Sequence, residues 1–274
     1  MRTTAVALGL VAVVGLTLAA CSSTDRASGD FQPARAGTLT VATGEIPVPG
    51  LWTGTPSRPT GGFEYDLARD LAHQFGLAHV RVIVVPFDQI VSGHLHGADL
   101  ALSDLTATPE RGQVLDFTGP YLAATPSVLV RAGQSVPDLH TAQGLSWAVG
   151  RNTTLKDFLD TTIRPDGAVH VSGSQHETVD AVEQGHVDAG LLDLPVAAAA
   201  ARDSGGRLDV AGQFDSNDDI SAALPQGSAN LDATSSAIRA LIADGTVGAL
   251  AQRWLGISLS GTSAEHVPLI RTQD

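Results

Sequence analysis

One cysteine, one methionine and one lysine occur among 274 residues, and 16 basic side chains stand against 29 acidic ones. A single thiol excludes an intramolecular disulfide framework and any zinc site built from several cysteines. Lys156 is the only lysine, so point-charge grips on phosphate are scarce. A formal charge of −13 leaves no basic patch that could offset repulsion from nucleic acid, which is excluded as a partner. A Gly-rich phosphate loop, a nucleophile elbow and a His-Glu-x-x-His pair are also missing. His94 and His96, two apart, would face different sides of a helix, and the other histidines are scattered among polar neighbours. No metal and no cofactor is therefore expected. What remains is globular: 43% hydrophobic and 16% charged residues, in a length that allows one large domain or two small ones.

Arg2 precedes an uncharged stretch from Ala5 to Ala20, whose 16 residues are short for a transmembrane helix and end in small side chains. That is the pattern of a secretory signal. Leu18-Ala19-Ala20-Cys21 resembles the bacterial lipobox, whose cysteine becomes the lipidated first residue of the mature chain. The alternative is an uncleaved anchor with an incidental Cys21. On the lipobox reading, residues 1–20 are a lipoprotein signal peptide and residues 21–36, with Ser, Asp, Gly and Pro, a flexible tether. The chain is then expected on the extracytoplasmic face of the bacterial cell membrane, held by lipid on Cys21.

The remainder reads as alternating strands and helices. Gly37 to Ala42 is β-branched and alternating, a strand. Phe63, Leu67, Leu71 and Phe75 recur every four residues before Gly76, an amphipathic helix with a glycine stop. Glu64 and Asp66 lie in its first turn, where the helix dipole favours anions. Val80 to Val84 and Asp99 to Leu105 supply further strands, with a short helix from about Asp88 between them. The same grammar restarts after residues 132–141, with strands at 147–149, 169–171, 187–192 and 208–211 and helices at 155–163 and 177–184. A final helical pattern spans Leu231 to Leu255, interrupted by Gly245 and Gly248. These are βαβ units on parallel sheets, arranged as two α/β lobes of about 90 residues. The first lobe is expected over 37–131, the second over 132–222, a return to the first over 223–256 and a loose tail over 257–274. The crossings are expected at Ser127 to Arg131 and Ile220 to Pro225.

Thr108-Pro109-Glu110 makes a helix start, with threonine as N-cap, proline at N1 and an acid next. Arg111 then falls at N3, where a cation opposes the dipole. Two readings follow: the guanidinium fork recruits a carboxylate to the free backbone N–H groups, or it pairs on the surface with Glu110 or Asp116.

At this point the motifs run in register. Gly37-Thr-Leu-Thr-Val, GGFEYDLARDLA (61–72), PFDQI (86–90), ADLALSDLTATPER (98–111) and LDFTGPY (115–121) are followed by VGRNTTL (149–155), EQGHVDAGLLD (183–193) and ADGTVGALAQRWLG (243–256). Together they resemble the family 3 extracellular solute-binding proteins of ABC importers, over nearly all of residues 37–256. The resemblance implies a two-lobed α/β fold of the periplasmic-binding-protein-like type II, with two hinge crossings and an amino acid bound between the lobes. Carried over by residue, Arg111 takes the ligand α-carboxylate, with Thr106 and its backbone as further donors. Thr153 and Thr154 close on the same carboxylate from the second lobe, and Asp193 holds the α-ammonium. All of these fall at C-terminal ends of strands, where open α/β sheets present ligands. Capping remains open as a second role for Thr153 and Thr154 at the helix from Leu155, and for Asp193 at the helix from Leu194.

Three departures concern the ligand's side chain. Gly44, followed by Glu45, stands where many members carry Asp. Residues Ile46 to Trp52 replace a short aromatic-Pro-Phe element, which transfers one wall of the pocket to Trp52, with Phe87 as the other. Asp104 occupies a position commonly Gly or Ser, and there it either favours a cationic or diamino ligand or turns into solvent. The expected function is that of a monomeric, lipid-anchored binding protein, not an enzyme, that delivers an amino acid to ABC permease subunits. Its alternatives are a ligand-binding sensor for a signalling partner and a dehydratase-like enzyme using Glu45 or Asp104 in the same cleft.

Overall fold

The structure, a computed structural model, describes residues 31–216, 218–257 and 267–272. The expected signal peptide, Cys21 and the first part of the tether lie outside the described residues. The chain begins with β1 (Thr38–Thr43), a hairpin of β2 (Thr53–Thr55) and β3 (Arg58–Gly61), α1 (Phe63–Gln74) and β4 (His79–Val84). It continues through α2 (Phe87–Val91), β5 (Leu100–Ala101) and β6 (Leu115–Ala123). A second run follows: β7 (Pro126–Arg131), α3 (Leu139–Gln143), β8 (Trp147–Gly150), α4 (Thr154–Phe158) and β9 (Val169–Ser172). It ends with α5 (Gln175–Glu183), β10 (Ala189–Asp193), α6 (Leu194–Asp203) and β11 (Leu208–Phe214). The chain then returns through β12 (Asp219–Pro225), α7 (Leu231–Ala243) and α8 (Thr246–Trp254), and β13 (Leu269–Ile270) follows.

Among the described residues two large sheets result, one per lobe, beside the two-stranded β2–β3 hairpin. The first has the order β4-β1-β5-β12-β6 and the second β13-β11-β7-β10-β8-β9. The βα units give parallel pairs (β1 with β4 and β5, β8 with β9 and β10), so their C-terminal ends point the same way within each sheet. The strands that enter after each crossing, β7 and β12, pair antiparallel. The crossings therefore precede β7 and β12, earlier than expected: Ser127 to Arg131 already belongs to the second sheet, and Ile220 to Pro225 to the first. Short extended segments at a crossing and the strands they feed have the same β-branched, apolar composition, which is why the boundary slipped.

The described parts of two expected irregular segments, residues 31–36 and 267–272, make defined contacts. Phe31 stacks on Phe75 with ring centroids 4.0 Å apart, and Asn230 exchanges two hydrogen bonds with the backbone of Gln32. Asp99 accepts from the amides of Ala34 and Thr40, tying residues 31–36 to β1. At the other end, β13 adds a parallel edge strand to β11, with Ile270 buried. The long C-terminal helical pattern divides at Gly245, whose φ of 84° ends the first helix, whereas Gly248 stays within α8. Among the described residues no helix is long and apolar enough to cross a membrane.

The segment Ile46 to Trp52 organises the region that matters most. Gly50 passes so close to α6 and the end of α8 that a Cβ would come within 2.7 Å of Ala199 and Leu255. The first two amides of α1, of Phe63 and Glu64, donate to the carbonyls of Gly50 and Leu51. This replaces a side-chain cap, since the N-cap residue, Gly62, has none. Gly62 sits at φ 116°, and a Cβ there would lie 2.1 Å from the Leu51 carbonyl oxygen. Gly62→Ala is thus expected to destabilise the fold by more than about 2 kcal/mol, from backbone strain plus displacement of this strap. Urea unfolding of the variant against the parent checks it; a difference under roughly 0.5 kcal/mol would show that the strap can yield.

Candidate functional site

A cavity of about 410 Å³ lies between the lobes at the C-terminal ends of the strands. Thr43, Gly44 and Glu45 at the end of β1 and Ser103 and Asp104 after β5 line it from the first lobe. Gly150 to Thr153 at the end of β8 and Gly173 to Gln175 after β9 line it from the second. A second pocket of about 20 Å³ shares Phe87, Asp104, Thr153 and Gln175 with it and adds Thr106, Arg111, Thr154 and Asp193. The positions that the sequence pointed to for ligand carboxylate and ammonium thus gather here.

Arg111 is 8% exposed, and the surface pairing with Glu110 or Asp116 does not occur. Asp116 instead accepts from the amides of Gly227 and Ser228. The helix expected from Thr108 is a single 3₁₀ turn, Arg111–Gln113, although the Thr108 hydroxyl does accept from the Arg111 amide at 3.2 Å. A turn that short offers little dipole, so the anion-binding capacity here resides in the guanidinium itself. Nη1 donates to the Thr106 carbonyl at 2.8 Å, and Nη2 crosses the cleft to the Asn152 carbonyl at 3.0 Å. The Phe87 ring lies 5.6 Å from the guanidinium carbon, a cation–π contact that orients the fork. Burial pulls the Arg111 pKa down while Asp193 pulls it up, and guanidinium remains charged. Two of its five N–H groups are engaged in these bonds, which leaves others for a carboxylate.

Asp193 is the N-cap residue of α6, yet its side chain makes no capping bond. The Leu194 amide donates to the Thr125 carbonyl instead. The carboxyl group is 6% exposed and lies within hydrogen-bonding reach of Asp104. Asp104 does not turn into solvent; it is 7% exposed, with a left-handed φ of 51° that aims its side chain inward. Its Oδ2 accepts from Gln175 Nε2 at 2.8 Å. Burial drives both pKa values up: Asp104 to about 6, and Asp193 well above the usual range with further push from the charges of Asp104 and Asp218. Two buried carboxyls this close cannot both be ionised cheaply, so they retain a proton between them until a cation replaces it.

The threonines divide their work. Thr153 does cap α4: its hydroxyl accepts from the Lys156 amide at 3.2 Å and donates to the Gly150 carbonyl at 2.8 Å. Thr154, one residue on, lines the inner pocket, as does buried Thr106 at a bridge to Ile220.

The other end of the cavity is acidic and aromatic. Trp52 is 1% exposed and lines the wall, its indole Nε1 donating to Glu64 Oε2 at 2.5 Å. Glu64 also accepts from the Tyr121 hydroxyl at 2.6 Å and from the Asp104 amide at 2.8 Å. Sequence reasoning assigned Glu64 only to the helix dipole. Its position four before Ala68, on the flank of the Phe63–Leu67–Leu71 stripe, was the available signal that it points inward. Burial first, and the Asp104 charge second, raise its pKa to about 7 against those three donors. Glu45 reaches across the cleft, where its Oε1 accepts from the Gln175 amide at 2.6 Å, and burial raises its pKa too. Gln175 was also missed. The helix was expected to begin at Glu177, whereas the Ser174 hydroxyl caps it from three residues earlier and brings Gln175 to the cleft.

Comparison with known proteins follows the same lines. The family described as bacterial extracellular solute-binding proteins, family 3, matches residues 41–257. The L-cystine-binding protein TcyJ of Escherichia coli (strain K12) is 25% identical over 227 residues, 82% of this chain and 85% of that one. The membrane-bound lytic murein transglycosylase F of Ectopseudomonas mendocina (strain ymp) is 32% identical over 134 residues, 48% of this chain and 27% of the enzyme. An amino acid ABC transporter substrate-binding protein from Streptococcus pneumoniae Canada MDR_19A, solved bound to L-arginine, has a TM-score of 0.72. It is 24% identical, over 83% of this chain and 99% of its own, and is similar in fold. The relatives that match along most of the chain are thus binding proteins, and the enzyme shares only part of its length.

Proposed function

The chain belongs to the bacterial extracellular solute-binding proteins of family 3, and we propose that it captures an amino acid with a second cationic group and delivers it to an ABC importer permease. Its fold is the two-lobed α/β type that the resemblance implied. The observation that carries the proposal is one buried cation, Arg111, set against a proton-sharing pair of buried acids, Asp104 and Asp193, at the closed end of an interlobe cavity. That arrangement is complementary to an α-carboxylate and an α-ammonium held side by side. Arg111, Thr106 and Thr154 face the carboxylate, with Thr153 holding the loop through its cap, and the acids receive the ammonium.

Charge-assisted hydrogen bonds contribute about 1.5–3 kcal/mol each. Four or five of them, less ordering costs, reach the roughly 8 kcal/mol of micromolar binding. From that anchor the ligand's side chain runs between Phe87 and Trp52 toward Glu64 and Glu45. Two further acids there favour a side chain that ends in a cation. L-arginine, bound in the Streptococcus pneumoniae structure, and L-cystine, which names the Escherichia coli protein, both carry a second positively charged nitrogen group, which supports this class. Export and tethering through lipid on Cys21 complete the reading, because a receptor outside the membrane must stay near its permease.

Titration calorimetry of residues 31–274 against arginine, lysine, ornithine, cystine, leucine, glutamine and glutamate tests the ligand class. Micromolar binding is expected for at least one of the first four and at least 30-fold weaker binding for glutamate. A preference for glutamate or leucine would overturn it.

A further inference from the structure

Besides the acids, the inner pocket contains a third acceptor that nothing in the fold requires. Asp104 Oδ1, Asp193 Oδ1 and Gln175 Oε1 are all buried, and among the described residues no N–H or hydroxyl group donates to any of them. Their side chains line the same pocket of about 20 Å³, room for one group the size of a water molecule. Gln175 Nε2 is engaged with Asp104 Oδ2 at 2.8 Å, which fixes the amide plane and leaves Oε1 as the free face. Asp104 and Asp193 are in turn within hydrogen-bonding reach of each other. One proton shared by the two acids cannot serve all three acceptors, and each buried polar group left unpaired is destabilising, so the space favours a group that replaces that proton and brings more donors. A primary ammonium brings three donors.

Resting on the amino-acid-binding reading above, we infer that Gln175 is a ligand-specificity residue: its side-chain oxygen, carried by the second lobe, completes with Asp104 and Asp193 a three-acceptor seat for a primary ammonium. The consequence is selectivity at nitrogen. An N-methylated amino acid keeps charge and carboxylate but presents one donor fewer and a methyl group toward an oxygen. Because Gln175 belongs to the second lobe and Asp104 to the first, this seat is complete only when the cleft is closed. Arg111, the facing cation, lines the same pocket.

The test compares wild type and Gln175→Ala with the best-binding amino acid and its Nα-methyl form. The alanine variant keeps the residue-175 amide that donates to Glu45, and the side chain is only half-buried, so folding is preserved. Wild type is expected to prefer the primary amine by at least 30-fold, and Gln175→Ala to lower that ratio at least fivefold by weakening the parent ligand and admitting the methyl group. A structural role alone would weaken both ligands equally and leave the ratio unchanged, which overturns the inference. Absence of wild-type binding to every amino acid would instead overturn the function proposed above, so the two failures are distinguishable.

Discussion

Arg111→Ala is expected to reduce amino-acid affinity by at least 100-fold, and Arg111→Lys by at least tenfold. The guanidinium donates to the Thr106 and Asn152 carbonyls with two N–H groups and keeps others for the ligand. Losing two charge-assisted bonds to a carboxylate costs about 3–6 kcal/mol, where each tenfold in affinity is about 1.4 kcal/mol. Lysine restores the charge but not the planar fork, and its ammonium cannot serve both lobes and a carboxylate at once. Two separate readouts follow from the geometry. Arg111 also compensates Asp193, so the alanine variant raises the proton affinity of the acid pair and loses stability without ligand. Calorimetry reads the first effect and thermal unfolding the second. Affinity within threefold of wild type in Arg111→Ala would place the carboxylate elsewhere and remove the basis of the assigned site.

How much of this was readable from residues alone follows a physical division. Elements with a local signature were legible: α1 from its four-residue apolar spacing, β8 and β9 from short apolar or alternating runs, α6 from Asp193-Leu-Pro. What failed depended on partners distant in sequence. Leu115–Ala123 is a nine-residue strand because β12, at the far end of the second lobe's sequence, pairs with it. Leu269–Ile270 is a strand only because Gly212 leaves room, for a Cβ there would meet Ile270 at 2.6 Å. Residues 31–36 read as tether because their composition carries no sign of Asp99 or Asn230.

The site divides the same way. Arg111 stood out as a cation at a helix start, Thr106, Thr154 and Asp193 came from the family resemblance, and the rule that parallel sheets present ligands at strand ends agrees with their places. Asp104 was visible as an anomaly of charge, though its inward orientation depends on a left-handed backbone that sequence does not display. Glu64 and Gln175 act through hydrogen bonds at sequence separations of 40 and 71, to Asp104 in both cases, and no local pattern encodes those pairings.

The acids together set a pH dependence whose sign is opposite for the empty and the loaded protein. Glu64 is raised from 4.5 to about 7 and Asp104 from 3.8 to about 6, with Asp193 raised as well. Burial is the first cause in each case, and mutual repulsion adds to it for Glu64 and Asp193. A carboxyl with a raised folded pKa binds more protons in the native than in the unfolded chain between the two values, so stability falls as pH rises through that window. The empty protein is expected to be most stable near pH 5, and to lose on the order of 3 kcal/mol by pH 8, roughly 5–10 °C in Tm. Asp188, held below the usual range by the hydroxyl and amide of Ser146, contributes a loss only at still lower pH.

A cationic ligand needs these carboxyls ionised, so its binding expels protons. Its affinity is expected to rise at least tenfold from pH 5.5 to 7.5, since each proton released contributes up to about tenfold per pH unit. Calorimetry in two buffers of different ionisation enthalpy would register about one proton leaving per ligand bound at pH 6.5. Glu64→Gln separates the contributions: it removes the charge beneath Asp104, flattens the stability slope of the empty protein and weakens binding of the cationic side chain. Proton release without any change of slope in Glu64→Gln would assign the titration to the Asp104–Asp193 pair alone. Affinity independent of pH between 5.5 and 7.5 would mean that the acids enter the complex still protonated, and that the ligand's second cation does not reach them.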